Sequence, residues 1–241
     1  MHAILFSIVL AAQAGRPDLV ITAAGINADG HFTFTLMNRG DGGVGTPFKV
    51  DAWLDGYLRK TLPFETRGDL GAIARPLPTR LPVAPGERRN LTLTDVKVDL
   101  CSGNHAVKVV ADSGGTISEA SENNNELTWS GPTPCPDLAI KSITKHWQNS
   151  MHTEFTAEIV IINQGNGNAG PFGVAAGGTS ITGIPSGAPM MYDGLRAGET
   201  VTLHAGNAYV PDGISVHVVV DIGNVIKESN ENNNVADKSI H

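Results

Sequence analysis

The sequence predicts an all-β protein built as two tandem immunoglobulin-like antiparallel β-sandwiches. Three observations lead there. The first is an internal repeat. Residues 112–125 read DSGGTISEASENNN and residues 221–234 read DIGNVIKESNENNN, and the runs just before them are VKVVAD and VHVVVD. Laid together, Asp112 meets Asp221, Ile117 meets Ile226, Glu119 meets Glu228 and Glu122 meets Glu231; Asn123, Asn124 and Asn125 meet Asn232, Asn233 and Asn234. A fixed spacing with the same upstream strand marks two copies of one module. The second observation is period-two alternation in short runs bounded by turn residues, with no competing helical period. The third is composition: 28 Gly and 14 Pro with only 17% charged residues favour strands and turns, since Gly and Pro are costly inside a helix.

The length suits one large domain or two of about 100 residues, and the repeat decides for two. Four further landmarks keep their order in both copies. Pro17-Asp18-Leu19 answers Pro136-Asp137-Leu138, and Asn38-Arg39-Gly40 answers Asn163-Gln164-Gly165. Thr46-Pro47-Phe48 answers Gly170-Pro171-Phe172, and Pro85-Gly86-Glu87 answers Ala197-Gly198-Glu199. The expected organisation is a signal peptide over 1–14, a first sandwich over 15–130, a proline-rich linker over 131–135 and a second sandwich over 136–241. The apolar run 3–12 is too short to span a bilayer, and Ala12-Gln13-Ala14 offers small residues to a signal peptidase, so cleavage is expected after Ala14. No Lys or Arg precedes that run. No later segment is apolar enough to cross a membrane, so no insertion is expected once the leader is removed. A net charge of −7 without a basic stripe excludes a nucleic-acid backbone as partner.

In chain order, Leu19 opens the first strand and residues 31–38 form the second, with Phe32, Phe34 and Leu36 on one face. Phe48, Val50, Ala52 and Leu54 are the inner face of the next, with Lys49, Asp51 and Trp53 outward. Asp55-Gly56 is a turn dipeptide. Residues 63–85 read as an irregular, proline-rich loop or edge. Leu91 and Leu93, then Val107, Val109 and Ala111, then Leu127 and Trp129, mark three further strands. Residues 130–136 (SGPTPCP) are a stiff connection. In the second copy Phe155, Ala157, Ile159 and Ile161 alternate with residues that are also apolar toward the end, the mark of a central strand. Residues 173–194 read as loops with a poor edge strand. Val201 and Leu203, then Val216, Val218 and Val220, restore the alternation.

About seven short strands in about 100 residues describe a sandwich. The Pro-Asp-Leu opening, the Asn-x-Gly turn, the Pro/Ala-Gly-Glu turn and the closing Asp…Glu-x-x-Glu-Asn-Asn together resemble the CARDB domain, a cell-adhesion-related domain found in bacteria, in both copies. The resemblance implies a seven-stranded sandwich, export, and a non-catalytic role in a surface or extracellular protein. The expectation is therefore a secreted, cell-surface or periplasmic protein whose partner is an extracellular protein or glycan, or else a spacer in an extracellular assembly.

Candidate chemistry is sparse. Residues 40–45 and 165–170 are both literal G-x-G-x-x-G, but a proline and a strand follow instead of the helix a dinucleotide site needs. These runs are expected to be tight loops using positive φ. His31, His105, His146, His152, His204 and His217 do not recur between copies, and neither GxSxG nor HExxH occurs, so no catalytic residue is assigned. Cys101, Cys135 and His105 lack a fourth zinc ligand. The two cysteines are expected to pair instead, because each is equally far from Ser118, the centre of the hairpin carrying the repeat motif. Asp112, Glu119 and Glu122, with Asp221, Glu228 and Glu231 in the second copy, are candidate calcium ligands. A structural lock by the asparagines, whose side chains bond turn backbone, is the preferred reading of the same loops. No other cofactor is expected.

Overall fold

The computed structural model describes residues 15–65, 79–152, 155–177, 189–208 and 214–240. The expected leader, residues 1–14, lies outside the described residues. Among the described residues fourteen strands form four antiparallel sheets, two to each copy.

The first copy holds β1 (Leu19–Ile26), β2 (His31–Asn38), β3 (Phe48–Leu54), β4 (Tyr57–Phe64), β5 (Arg88–Lys97), β6 (Asn104–Ala111) and β7 (Glu126–Pro132). One sheet has the order β1-β2-β5 and the other β4-β3-β6-β7. The inward residues are those the alternation names: Phe32, Phe34 and Leu36 on β2, Phe48, Val50, Ala52 and Leu54 on β3, and Val107, Val109 and Ala111 on β6 are all buried. Each large side chain removed from water in this way contributes about 1.5–3 kcal/mol.

The second copy holds β8 (Leu138–Trp147), β9 (Phe155–Asn163), β10 (Phe172–Gly177), β11 (Met190–Tyr192), β12 (Thr200–Ala208), β13 (Ile214–Val220) and β14 (Val235–Ile240). Its sheets run β12-β9-β8 and β11-β10-β13-β14. The strand β9 is central, as its apolar outer residues suggested, and its core-facing Phe155, Ala157, Ile159 and Ile161 are buried.

Four expectations need correction. Residues 57–64 form a strand that the sequence hid, because β4 is an edge and only Phe64 of it is buried. The Asp55-Gly56 turn that leads into it has φ of 50° and 83°, the two left-handed residues of a tight hairpin. Pro63 sits within this strand, where an edge position tolerates its missing N–H. Residues 66–78 of the expected irregular loop lie outside the described residues. Second, the stretch 173–194 holds the expected poor edge strand, β11, but residues 172–177 form β10, an internal strand bonded to both β11 and β13. Its Gly and Ala content conceals a face that Phe172, Val174 and Ala176 bury. Third, β7 continues through Pro132, so regular structure reaches into the expected linker.

The fourth concerns the glycine runs. No glycine of either run has positive φ. The requirement is close approach instead. A Cβ on Gly40 would lie 2.2 Å from the Arg16 carbonyl oxygen, and one on Gly165 would lie 2.3 Å from that of Cys135. In both copies the loop after the second strand presses against the segment that enters the first.

Candidate functional site

The repeated motif joins the last two strands of the four-stranded sheet in each copy, β6 to β7 and β13 to β14. In the first copy Asp112 follows β6 with φ of 41°, a left-handed conformation that Asp tolerates better than most residues. Its carboxylate fixes the descending loop. Oδ1 accepts from the Thr116 N–H (3.0 Å) and hydroxyl (2.8 Å), and Oδ2 accepts from the Ile117 N–H (2.7 Å). Ile117 is thereby held in the core.

Glu119 then reaches across to β1. Its Oε2 accepts from the Leu19 N–H and its Oε1 from Asn125 Nδ2 (2.6 Å). Glu122 folds back to accept the Glu119 N–H (2.8 Å). Asn124 Nδ2 donates to Asp18 Oδ1 (2.8 Å), and the Ala120 N–H donates to the Pro17 carbonyl (2.8 Å). The second copy repeats these bonds except that of the Thr116 hydroxyl, which Val225 cannot make. Asp221, φ 51°, accepts from the Val225 and Ile226 N–H groups; Glu228 takes the Leu138 N–H and Asn234 Nδ2; Glu231 takes the Glu228 N–H; Asn233 donates to Asp137.

A second asparagine closes the far side of this clamp. Asn38 is fully buried at the end of β2. Its Oδ1 accepts from Asp18 N–H (3.0 Å) and Gly40 N–H (3.1 Å), and its Nδ2 donates to the carbonyls of Gly42 (2.7 Å) and Val83 (3.2 Å). Its backbone exchanges bonds with the Pro85-Gly86-Glu87 turn. Asn163 repeats all of this with Asp137, Gly165, Gly167, Leu195 and the Ala197-Gly198-Glu199 turn. One network therefore joins three of the four further landmarks, the Pro-Asp-Leu opening, the Asn-x-Gly turn and the Pro/Ala-Gly-Glu turn, to the acidic motif. Sequence reasoning assigned no role to Asp18, Asp137, Asn38 or Asn163; the signal was their fixed order beside the acidic motif.

The electrostatics follow from burial. Glu119 is pushed up to about 7, first by desolvation and further by the nearby Glu122 and Asp112 carboxylates, against the two hydrogen bonds that favour its charge. Glu228 is raised for the same reasons. The predicted residues are thus brought together, with two exceptions. Asn123 and Asn232, first of each triplet, are exposed and take no part in the clamp bonds. The Oδ1 atoms of Asn124, Asn125, Asn233 and Asn234 are buried and find no hydrogen-bond partner among the described residues. Among the described residues no three His, Cys, Asp or Glu stand together as a metal-binding group.

Cys101 and Cys135 form a disulfide with their Cα atoms 4.7 Å apart. They continue the register set by the Ala111 N–H to Asn125 carbonyl bond and the Thr133 N–H to Gly103 carbonyl bond, both centred on Ser118. His105 lies against the Ser102 hydroxyl (3.0 Å).

Each copy is thus an immunoglobulin-type β-sandwich closed by one acid–asparagine clamp. The CARDB family model matches residues 16–129 and again 135–238, and the chain belongs to that family, carrying two tandem copies of a domain that is a non-catalytic module. Solved structures resemble parts of it. The crystal structure of the CARDB domain of a Pyrococcus furiosus protein, in complex with di-metal ions, is 20% identical over 48% of this chain and 93% of that chain, with a TM-score of 0.36. The solution structure of the same domain is 19% identical over 50% of this chain and 95% of that chain, with a TM-score of 0.33. Red sea bream transglutaminase is 12% identical over 86% of this chain and 29% of that chain, with a TM-score of 0.27. With scores this low, none of the three bears on what this chain binds. No curated protein matches it.

Proposed function

We propose that the chain is an exported, adhesion-type binding protein that acts through contact rather than catalysis, on an extracellular protein or a glycan. One observation carries the reading. The recurring Asp112, Glu119, Asn38 and their second-copy counterparts are buried and hold the fold, while large apolar side chains stand exposed at hairpin turns. Tyr57 (71% exposed) and Leu58 flank the Asp55-Gly56 turn, and Met151 (78%) and Trp147 flank the turn between β8 and β9. Exposed Tyr, Trp and Met are the residue types that anchor interfaces. The disulfide is consistent with an oxidising compartment outside the cytosol.

The test is binding of the full chain to envelope proteins and to a glycan array, repeated with Tyr57→Ser and with Trp147→Ala. A partner lost on either change with an unaltered melting curve supports the reading. Binding untouched by both moves the contact elsewhere. Absence of any partner favours the alternative, a spacer or subunit of an extracellular assembly.

A weak calcium site in each acidic loop belongs to the same proposal as a secondary reading. What favours it is the set of unpartnered amide oxygens at Asn124, Asn125, Asn233 and Asn234, since calcium takes neutral oxygens alongside carboxylates. Against a strong site, Asp112 and Glu119 already accept bonds on both oxygens. Lys227 stands beside Glu228 where the first copy has Ser118, so any calcium dependence should be larger in the first sandwich. Isothermal titration with calcium checks this; heat from the second copy alone would contradict it.

A further inference from the structure

Two histidines that the repeat does not explain meet on the outer face of the second copy's three-stranded sheet. His204 on β12 is the register partner of Glu158 on β9, and Glu158 in turn is the partner of Thr144 on β8. His146, two residues beyond Thr144 and so on the same face, pairs with Thr156. Paired residues of an antiparallel ladder share a side of the sheet. Both imidazoles are exposed, and they lean toward each other over β9 from its two neighbours until their ring centroids are 5.6 Å apart, inclined at 61°.

That separation is close to the one two imidazoles on a shared tetrahedral ion would take. A metal–nitrogen bond of roughly 2.0–2.1 Å, extended by about 1.2 Å from nitrogen to ring centre, sets each centroid roughly 3.2 Å from the ion. At a tetrahedral angle two such centroids lie roughly 5.2 Å apart, close to the spacing found. The nearest sequence neighbour that would repel a cation, Lys145, belongs to the other side of β8. Its ammonium lies over the rings of Trp147 (4.5 Å) and Phe155 (4.7 Å). Glu158, in the same row as His204, adds negative charge.

We propose that His146 and His204 chelate one borderline divalent cation of the zinc type, with water completing the shell and the Glu158 carboxylate adding negative charge beside it. Imidazole ligands suit zinc or copper and not calcium. This site is independent of the acidic loops and of the binding proposal above. The rings' mutual packing alone would be the edge-to-face contact of two aromatics, and only the metal titration separates the two.

The experiment is calorimetric titration of the full chain with ZnCl2 in a non-chelating buffer. One site is expected in the wild type, weakened at least tenfold by His146→Ala and equally by His204→Ala, and several-fold by Glu158→Gln. His217→Ala is the control, because that imidazole faces a single carboxylate, Asp237, at 2.9 Å and represents the one-imidazole background. His146, His204 and His217 are exposed and Glu158 is half-buried, and melting curves matching the wild type verify folding. The proposal is overturned if zinc does not bind, if either β8 or β12 variant binds as well as wild type, or if His217→Ala weakens binding as much as they do.

Discussion

Asn124 and Asn233 each tie the acidic loop to the first strand of their sandwich through one amide. Removing that amide leaves an aspartate oxygen without its donor, a loss of about 1–3 kcal/mol for a buried group. The cost should be unequal. Asp18 is buried, whereas Asp137 is half-buried and also accepts from Ser229 and Gln164. Denaturant titration should therefore show a larger loss for Asn124→Ala than for Asn233→Ala. Glu119 adds a pH dependence. Its folded-state value of about 7 lies above the ordinary 4.5, so the folded chain holds the proton more tightly than the unfolded one. The stabilisation is complete below the unfolded value and is lost as pH rises through about 7. Asn125 can serve both forms, since turning its amide would present the unpartnered Oδ1 to a protonated carboxyl. Between pH 5 and pH 8 (on the order of the span that these values set) the wild type should lose stability relative to Glu119→Gln. A constant difference across that range would contradict the assignment.

At the scale of elements, the glycine loops and the disulfide give sharp contrasts. A Cβ at Gly42 would meet the Gly15 carbonyl oxygen at 2.0 Å, while one at Gly43 would have nothing closer than 3.8 Å. Gly42→Ala should cost about 1–3 kcal/mol or more, as backbone must shift, and Gly43→Ala should be near neutral; thermal melts decide. The Cys101–Cys135 bridge closes 34 residues, so Cys101→Ser with Cys135→Ser should lower stability by about 2–4 kcal/mol. Free thiols in the unreduced secreted protein would refute the bridge. These elements also show what could be read from sequence. The strands β2, β3, β6 and β9 were legible because each buries one face, which writes a period of two into the chain. The cysteine pairing was legible because an antiparallel hairpin fixes its own register. The strand β4 was not, because an edge with one buried residue carries no period. The strand β10 was not, because its small residues score as loop. The acid–asparagine motif was visible as a repeat, but its partners were not. Asp18 lies 106 residues from Asn124, and no local pattern reports a bond across that distance. The need for glycine at residues 40 and 42 was visible while its cause, backbone approach rather than left-handed φ, required the fold.

For the whole molecule, the account is of two sandwiches of one family, each shut by its own copy of the clamp, offering exposed tips for contact. Export predicts that mass spectrometry of the secreted protein finds Gly15 at the N-terminus, with Met1 retained only in unprocessed material. The central claim is that the repeated Asp-Glu-Asn motif holds the fold rather than a ligand. Thermal denaturation of the full chain, of Asn124→Ala and of Asn233→Ala, each with calcium and with a chelator, tests it most directly. Each substitution should lower the melting temperature by several degrees, as about 1 kcal/mol does for a domain of this size, and the chelator should leave the wild type nearly unchanged. A wild type whose melting temperature falls by many degrees on chelation, with both asparagine variants melting as it does, would contradict it.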